Sequence, residues 1–193
     1  LGMDAWAYDE NGWPSGFVGG KLLENENNRE NYLTFEKGVF DENAFVSYDI
    51  SSDKIKRLNK GEKCDTALNI YKHTSLSTVD ILDDKVVDRF IAETHEKYNE
   101  YFGGKIGEYI KGFFTDEPQY YATATPYPHL IEKYFRKNYG VNILDQLGLL
   151  YCEKQGYRAF RYKYYYVCQQ LFLHNYSEKI YNWCSEHGVK QTG

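Results

Sequence analysis

Two adjacent acids stand directly after an apolar strand in the segment GFFTDEP, residues 112–118. Its two phenylalanines are typical of a buried strand, and its proline fixes the backbone immediately after Asp116 and Glu117. A carboxyl group that is partly desolvated at a strand end has a raised pKa, which suits a general acid near neutral pH. The segment therefore predicts that this strand end belongs to a site.

The same design occurs near the start of the chain, where Asp9 and Glu10 follow a strand predicted over residues 4–8. In parallel α/β folds the carboxyl ends of the strands lie on one face, so acids at two such ends converge on one cleft. The alternative is structural, because Asp9 or Asp116 after a strand also suits the N-cap of a following helix.

The order of the predicted elements favours parallel βαβ units. Further strands are predicted over 109–115 and 189–192, and helices over about 83–102, 128–139 and 157–187. Strands separated by helices indicate a parallel sheet covered by helices. We predict an α/β fold over residues 1–193, organised as one partial TIM-type (β/α)8 barrel domain, with a small open sheet as the alternative.

A β-hairpin-like excursion interrupts this pattern at about 37–75. Residues 44–50 and 66–72 alternate apolar and polar side chains, as half-buried strands do. The first and last strands of an incomplete barrel would expose unpaired edges, so we also predict self-association through them.

The composition limits the classes of partner. Net charge is −5 with no long basic cluster, which argues against nucleic acid. No apolar run reaches the roughly 18 residues of a membrane span, and no signal peptide is recognisable at the N-terminus. Four widely spaced cysteines predict free thiols and, with the missing signal peptide, a cytoplasmic location.

Aromatic residues make up 18% of the chain and include 20 tyrosines, side chains that suit half-wet clefts for polar ring-shaped ligands. A nucleotide-composition bias would explain the tyrosines equally well. No metal or nucleotide cofactor is expected, because the histidines lack metal-ligand spacing and no GxGxxG follows the first strand. A calcium ion on the acidic loops is the alternative, although there is no EF-hand loop.

Four segments, taken in order, resemble large bacterial glycoside hydrolases of the α-L-rhamnosidase-like group. They are YDE with WPSG and GG (8–20), VDIL with FI and THEKY (79–98), FTDEP (114–118) and VKQTG (189–193). Together they cover most of the chain, and the excursion is the part that fits least well.

This resemblance implies a (β/α)8 barrel that hydrolyses glycosidic bonds, with Glu117 as the general acid that protonates the departing sugar oxygen. A second carboxylate is needed at about 5 Å for retention or 6.5–9.5 Å for inversion. The resemblance implies that this partner lies on a later strand than those seen here, so the chain would be a barrel fragment that lacks it.

The resemblance also implies a sugar subsite, and its predicted substrate-binding residues share proximity to the two acidic strand ends. They are Asp9, Glu10, Trp13, Ser15, Asp116 and His95. For Trp13 a loop anchor is an equal alternative to stacking on a sugar, and for His95 a buried histidine inside a helix is the simpler interpretation.

Two other functions remain open at this point. The first is a non-catalytic carbohydrate-binding or interaction domain built on an incomplete barrel. The second is a different small α/β enzyme that closes its own site, which would need Asp9 or Glu10 as the partner of Glu117.

Overall fold

The computed structural model describes residues 3–120 and 124–193. Eight strands are present in these ranges: β1 (Ala5–Tyr8), β2 (Arg29–Gly38), β3 (Val46–Asp49), β4 (Lys56–Arg57), β5 (Ala67–Val79), β6 (Ile110–Phe114), β7 (Thr125–Pro126) and β8 (Lys190–Thr192). Six α-helices accompany them: α1 (Asp84–Glu93), α2 (His95–Tyr101), α3 (Ile106–Tyr109), α4 (Ile131–Tyr139), α5 (Tyr157–Leu171) and α6 (Glu178–Glu186). Four short 3-10 helices cover Lys21–Glu24, Glu26–Asn28, Ile143–Asp145 and Leu147–Leu150, and a π-helical segment, Phe172–Ser177, joins α5 to α6.

The chain divides into two compact units. The first comprises residues 1–30, 75–122 and 171–193, and the second comprises residues 31–74 and 123–170. This division does not test the single-domain organisation expected from the sequence, which stays a prediction.

The first unit contains a three-stranded parallel sheet in the order β1-β6-β8. Its register pairs Tyr8 with Phe114 and Phe114 with Thr192, so the three strands end side by side. The predicted parallel strands over 4–8, 109–115 and 189–192 are thereby confirmed.

Helices α1, α3 and α6 contribute apolar side chains to the core of this unit. The buried cluster includes Ala7, Val86, Phe90, Phe113, Tyr176, Ile180 and Trp183. Helix α1 begins where the Asp83 side chain accepts a hydrogen bond from the amide of Lys85 as an N-cap. The long helix predicted over 157–187 is continuous, but its hydrogen bonding widens to the π pattern in the middle.

The second unit contains most of a five-stranded sheet in the order β4-β3-β5-β2-β7. The pairings β3–β4, β3–β5 and β2–β7 are antiparallel. Its buried residues include Leu33, Tyr48, Leu68, Ile70, Phe135, Phe160 and Tyr164. The predicted strands over 44–50 and 66–72 are both present, as β3 and β5.

The predicted fold class, a partial TIM-type barrel built from parallel βαβ units, is wrong. The described residues have a mixed α/β fold in which the parallel sheet and the antiparallel sheet are separate. The physical reason lies in residues 29–38, a polar stretch that joins the excursion strands in an antiparallel sheet as β2. Parallel strands alternating with helices also occur in open sheets, so their pattern does not specify closure into a barrel.

Strands β1 and β8 are the two outer strands of the parallel sheet among the described residues. Self-association through these edges stays a prediction.

Candidate functional site

The two acidic segments predicted from the sequence lie side by side at the carboxyl end of the parallel sheet. The amide of Asp9 donates to the carbonyl of Phe114 at 3.1 Å, which extends the β1–β6 pairing by one residue beyond the strands. The loop after β1 and the loop after β6 therefore start from adjacent points on one face.

The Asp9 carboxylate joins these two loops. Its Oδ1 accepts from the Ser15 hydroxyl at 2.7 Å, and its Oδ2 accepts from the Thr115 hydroxyl at 2.5 Å. Burial raises the pKa of Asp9 to about 6, against the opposing effect of the bonds from Thr115 and Ser15. Only 1% of Asp9 is exposed, so both carboxylate oxygens make their hydrogen bonds in the protein interior.

Ser15 carries the connection on to Asp116. The Ser15 amide donates to the Asp116 carbonyl at 2.9 Å, and the Asp116 amide donates to the Ser15 hydroxyl oxygen at 2.9 Å. We call the four residues Asp9, Ser15, Thr115 and Asp116 the strand-end clamp. The clamp fixes both polar backbone groups of Asp116, the residue that precedes Glu117.

The Glu10 carboxylate organises the loop between Asn11 and Gly20. Five backbone amides donate to it, those of Asn11, Gly16, Phe17, Val18 and Gly19, at 2.7–3.0 Å. Successive amides that converge on one anion in this way form a nest. Glu10 therefore holds the loop in its shape through backbone contacts.

This nest stabilises an unfavourable backbone conformation. Val18 has φ of 56°, in the left-handed region that β-branched residues rarely adopt, and Gly19 follows with φ of 57°. The bonds from these two amides to Glu10 offset the strain.

Glu117 directly follows the strand-end clamp in the chain, and its side chain is exposed to solvent. Its φ is 41°, so this non-glycine residue also occupies the left-handed region. Such a conformation costs on the order of 1–3 kcal/mol and is concentrated at functional sites. The backbone of Glu117 is constrained on both sides, by the hydrogen-bonded Asp116 before it and by the rigid ring of Pro118 after it.

Aromatic side chains surround the same strand ends. Trp13, in the loop that Glu10 organises, is 54% exposed, and its bond to Pro14 is cis. The rings of Tyr8 and Phe114, which end β1 and β6, are 5.9 Å apart between centroids, and Phe114 is 43% exposed. An exposed aromatic face of this kind suits stacking against a ring-shaped ligand.

An open cleft of about 550 Å³ lies along the ends of β6 and β8. Its lining includes Thr115, Pro118, Phe172, Tyr176, Gln191 and Thr192. Thr115 and Pro118 lie on either side of Asp116 and Glu117 in the chain, although these two acids are not themselves part of the lining.

His95 lies in the core beneath the sheet. It is fully buried, with its ring 4.4 Å from that of Phe113 and 5.2 Å from that of Trp183. Burial lowers the pKa of His95 to about 3, so the imidazole is neutral, and its Nδ1 lies 2.8 Å from the Thr94 hydroxyl. His95 supports β6 through Phe113, and a contact with substrate stays a prediction.

The other predicted site residues divide into two groups. Asp9, Glu10 and Ser15 are buried and bonded internally, which fits shaping of the subsite. Trp13 and Glu117 are exposed, and Asp116 is half-buried. Their roles toward a substrate stay predictions.

Two residues that line the cleft, Thr115 and Tyr176, were not among the predicted site residues. Thr115 is the donor that completes the Asp9 contact, and the threonine directly after the two phenylalanines was the available signal. Tyr176 is a buried residue of the helix predicted over 157–187, and it is part of the lining of the cleft. The widening of that helix to the π pattern has no recognisable signature in this sequence.

Within residues 3–120 and 124–193, no three or more His, Cys, Asp and Glu side chains are grouped so that they could hold a metal ion. The expectation that the protein needs no cofactor stays a prediction.

No helix in the same ranges is both long and apolar enough to cross a membrane.

Comparison of the chain with protein-family models, with curated proteins and with solved structures finds no match. The geometry of the strand ends and the resemblance of the short motifs are therefore the grounds for a functional proposal.

Proposed function

We propose that this protein hydrolyses glycosidic bonds at the carboxyl ends of β1, β6 and β8, with Glu117 as the general acid. The observation that carries the proposal is the placement of Glu117. Its side chain is exposed, its backbone is strained, and in the chain it stands between the clamp residue Asp116 and Pro118, which lines the cleft. The resemblance of FTDEP and of the YDE–WPSG–GG segments to glycoside hydrolases supports the same assignment.

In the proposed reaction Glu117 gives its proton to the glycosidic oxygen as the bond from that oxygen to the anomeric carbon breaks. A water molecule completes the hydrolysis by adding its oxygen to the anomeric carbon. One of its protons stays on the new hydroxyl group, and the other restores the proton of Glu117. General acid assistance of this type contributes about 10²–10⁴ in rate. It matters most for leaving groups that depart poorly without a proton.

The clamp would contribute by keeping Glu117 in one position relative to the bound sugar. Asp9 and Glu10 are occupied by internal hydrogen bonds, so we assign them to positioning and not to the second carboxylate. That assignment also disfavours the small α/β enzyme in which Asp9 or Glu10 would be the reacting partner of Glu117.

The test compares Glu117→Gln with the unaltered protein on two sets of aryl glycosides, one with activated and one with poor leaving groups. We expect kcat/KM on the poor leaving groups to fall about 10²–10⁴-fold and on the activated ones far less. Glu186→Gln, which neutralises an exposed glutamate at the end of α6, is the matched control. Full activity of Glu117→Gln on poor leaving groups would overturn the assignment.

The second candidate is a carbohydrate-binding domain without catalysis. The internal hydrogen bonds of Asp9 and Glu10 favour it, since both carboxylates then hold the strand-end loops in shape and neither is free to react. It predicts that sugar binds and that no glycoside in the panel is cleaved, with Glu117→Gln changing neither result.

A carbohydrate ligand and a cytoplasmic location belong to this proposal as well. Cys64, Cys152 and Cys184 are free thiols, and the last two are buried, which supports a reducing compartment. Alkylation of intact cells followed by mass spectrometry of the native protein would test the location, with reduced thiols expected at all four positions.

A further inference from the structure

The charge of the chain is unevenly distributed. Residues 131–170 carry seven Lys and Arg against three Asp and Glu, whereas the whole chain carries 23 against 28. The same segment contains eight of the 20 tyrosines. It covers α4 and all but the last residue of α5, and it lies within the second unit. A basic, tyrosine-rich pair of helices therefore belongs to a protein that is acidic as a whole.

Tyr139 joins the outer surfaces of these two helices. It is the last residue of α4, and the Nζ of Lys163 on α5 lies 5.0 Å from the centre of its ring. Beneath this contact the buried rings of Phe135 and Phe160 pack at 5.5 Å between centroids. Arg136 precedes Tyr139 by three positions, so it lies on the same side of α4. The two helices therefore present one joint surface.

Two tyrosines of α5 continue this surface. Tyr162 and Tyr166 are one helical turn apart, and their rings stack at 5.9 Å between centroids with 15° between the planes. They are 70% and 42% exposed. Burial raises the pKa of Tyr139, and the nearby Tyr166 and Tyr162 hydroxyls add to the shift, so the three side chains are close together. Exposed tyrosine rings supply rigid contact area and are enriched in protein interfaces.

The cations around these rings have no acidic partners. Among the described residues, none of Arg136, Lys137 and Lys163 forms an ion pair, and all three side chains are exposed. The ion pair on the same helix α5 joins Arg161 to Glu153 at 3.9 Å and uses none of them. Their charges are therefore available to a partner.

An open depression of about 480 Å³ lies along α4, and it is lined by Glu132, Lys133, Arg136 and Lys137. Glu132 is the acid in this lining, and its carboxylate already accepts a hydrogen bond from the Tyr127 hydroxyl at 2.9 Å. The depression is therefore a basic recess that an acidic side chain can enter. We call the joint surface of the two helices the basic tyrosine face, which consists of Arg136, Lys137, Tyr139, Tyr162, Lys163 and Tyr166.

We propose that the basic tyrosine face docks an acidic segment of another protein. Arg136, Lys137 and Lys163 pair with carboxylates of that segment, and the rings of Tyr162 and Tyr166 cover its apolar parts. Charge complementarity selects the partner, because unpaired cations steer and orient an acidic surface. The inference is independent of the proposed function, since the strand-end clamp belongs to the first unit and this face to the second.

An acidic polypeptide fits this face better than a nucleic acid does. A nucleic acid is a continuous polyanion, and the excess of acids in the rest of the chain repels whatever part of it extends past the face. The carboxylates of a short acidic segment all lie within the face. Arg and Tyr are also among the side chains that most often dominate the binding energy of protein interfaces.

The experiment measures the binding of fluorescent probes to the whole protein by anisotropy. The probes are a short peptide of alternating Glu and Ser, its counterpart with Gln in place of Glu, and an oligodeoxythymidine with the same number of charges. We expect the Glu peptide to bind about tenfold more tightly than the Gln peptide, by a margin that shrinks as salt rises. Equal binding of the two peptides would overturn the proposal. Tighter binding of the oligodeoxythymidine than of the Glu peptide would assign the face to nucleic acid and overturn it as well.

A double variant tests the cations. Lys137→Gln with Lys163→Gln removes two of the assigned charges, so we expect the affinity for the Glu peptide to fall about tenfold and to depend less on salt. Lys85→Gln with Lys190→Gln removes two exposed lysines of the first unit and gives the same net charge, so it is the matched control. Equal losses in the two double variants would mean that overall charge attracts the peptide, and the proposal would fail.

A second double variant tests the rings. Tyr162→Ser with Tyr166→Ser should lower the affinity for the Glu peptide about tenfold while the salt dependence stays the same, because no charge is lost. Tyr181→Ser, at an exposed tyrosine of α6, is the control and should leave the affinity unchanged. Melting temperatures show that each variant is folded. Unchanged affinity in the folded double variant would overturn the role of the rings and with it the proposed docking face.

A second copy of this chain is the other possible source of the acidic segment. Light scattering without peptide compares the unaltered protein with the Lys137→Gln and Lys163→Gln double variant as the protein concentration rises. We expect the same mass at each concentration in both proteins. Association that the double variant abolishes would identify a second copy as the occupant of the face and overturn the proposal.

Discussion

The Asp9 carboxylate accepts a hydrogen bond from the Thr115 hydroxyl at 2.5 Å, which ties the end of β1 to the end of β6 across 106 positions of sequence. The other oxygen of Asp9 bonds to Ser15, and Ser15 bonds to both backbone groups of Asp116. Such a network behaves as a unit, because each member orients the next.

The first prediction concerns the coupling within this clamp. Asp9→Asn and Ser15→Ala should each destabilise the protein, and the double variant should lose less than the sum of the two. Residues in one hydrogen-bond network show interaction energies of about 0.5–3 kcal/mol. The measurement is a double-mutant cycle by chemical denaturation, and additive losses would show that the two side chains act independently.

The second prediction concerns the nest around Glu10. In Glu10→Gln an amide nitrogen replaces one of two oxygens that accept from five backbone amides. At least two donors then lose their acceptor, and each buried donor left unpaired costs about 1–3 kcal/mol. We expect a loss of about 2–4 kcal/mol in the free energy of unfolding.

Glu24→Gln, at an exposed glutamate of the first 3-10 helix, is the control for this substitution and should stay within about 0.5 kcal/mol of the unaltered protein. A Glu10→Gln variant as stable as this control would mean that the loop does not depend on the charge of Glu10.

The third prediction concerns the pH dependence of stability. Burial, with a smaller contribution from the nearby Asp80 carboxylate, raises the pKa of Glu30 from 4.5 to about 7, against the bond from Thr78. Between these two values the folded state binds more protons than the unfolded state. The stabilisation is therefore fully present below pH 4.5 and is lost as pH rises to 7.

Glu30→Gln keeps an oxygen that can accept from Thr78 at 2.8 Å but cannot ionise. We expect the unaltered protein to lose stability relative to Glu30→Gln between pH 5 and pH 7.5, by on the order of 3 kcal/mol. Thermal unfolding of both proteins across this range is the measurement. Parallel profiles would show that Glu30 ionises as it does in the unfolded chain.

The fourth prediction concerns the close contact between β1 and β6. Gly112 lies opposite Trp6, and a Cβ on Gly112 would come within 2.3 Å of the Trp6 ring. Gly112→Ala should therefore cost about 1–3 kcal/mol through overpacking. In a Trp6→Ala background the same substitution should cost less than about 0.5 kcal/mol, and an equal cost in both backgrounds would exclude the ring as the cause.

The fifth prediction concerns the outer strands of the parallel sheet. In the described part of the chain, β1 and β8 are each paired on one side within this sheet. Exposed strand edges tend to pair with other chains, so we expect association that increases with protein concentration. Light scattering coupled to size-exclusion chromatography tests this, and a constant monomer mass at high concentration would contradict it.

The strand ends were predictable because their signals are local. Apolar runs followed by acids mark the ends of β1 and β6, and both acidic segments do meet at one edge of a parallel sheet. Gly140, with φ of 68°, ends α4 as a helix-terminating glycine should. Hydrophobic period and turn residues suffice for elements of this kind.

The fold class was not predictable from the same signals. The polar stretch before Gly38 carries no strong strand pattern, yet β2 forms within it because neighbouring strands supply its hydrogen bonds. The pairing of distant strands depends on which partners are available in three dimensions, and a barrel and an open sheet share the same local pattern.

The sequence by itself determined the parallel strands, their helices and the acids at their ends, since each follows from neighbours within a few residues. Only the tertiary structure decided what those acids do. Asp9 is buried and bonded to the distant Thr115, Glu10 is buried and bonded to its own loop, and Glu117 is exposed. The physical reason is that the ionisation and the hydrogen bonding of a carboxyl group depend on its burial and on the partners that folding brings close to it. Neither can be read from the order of the residues.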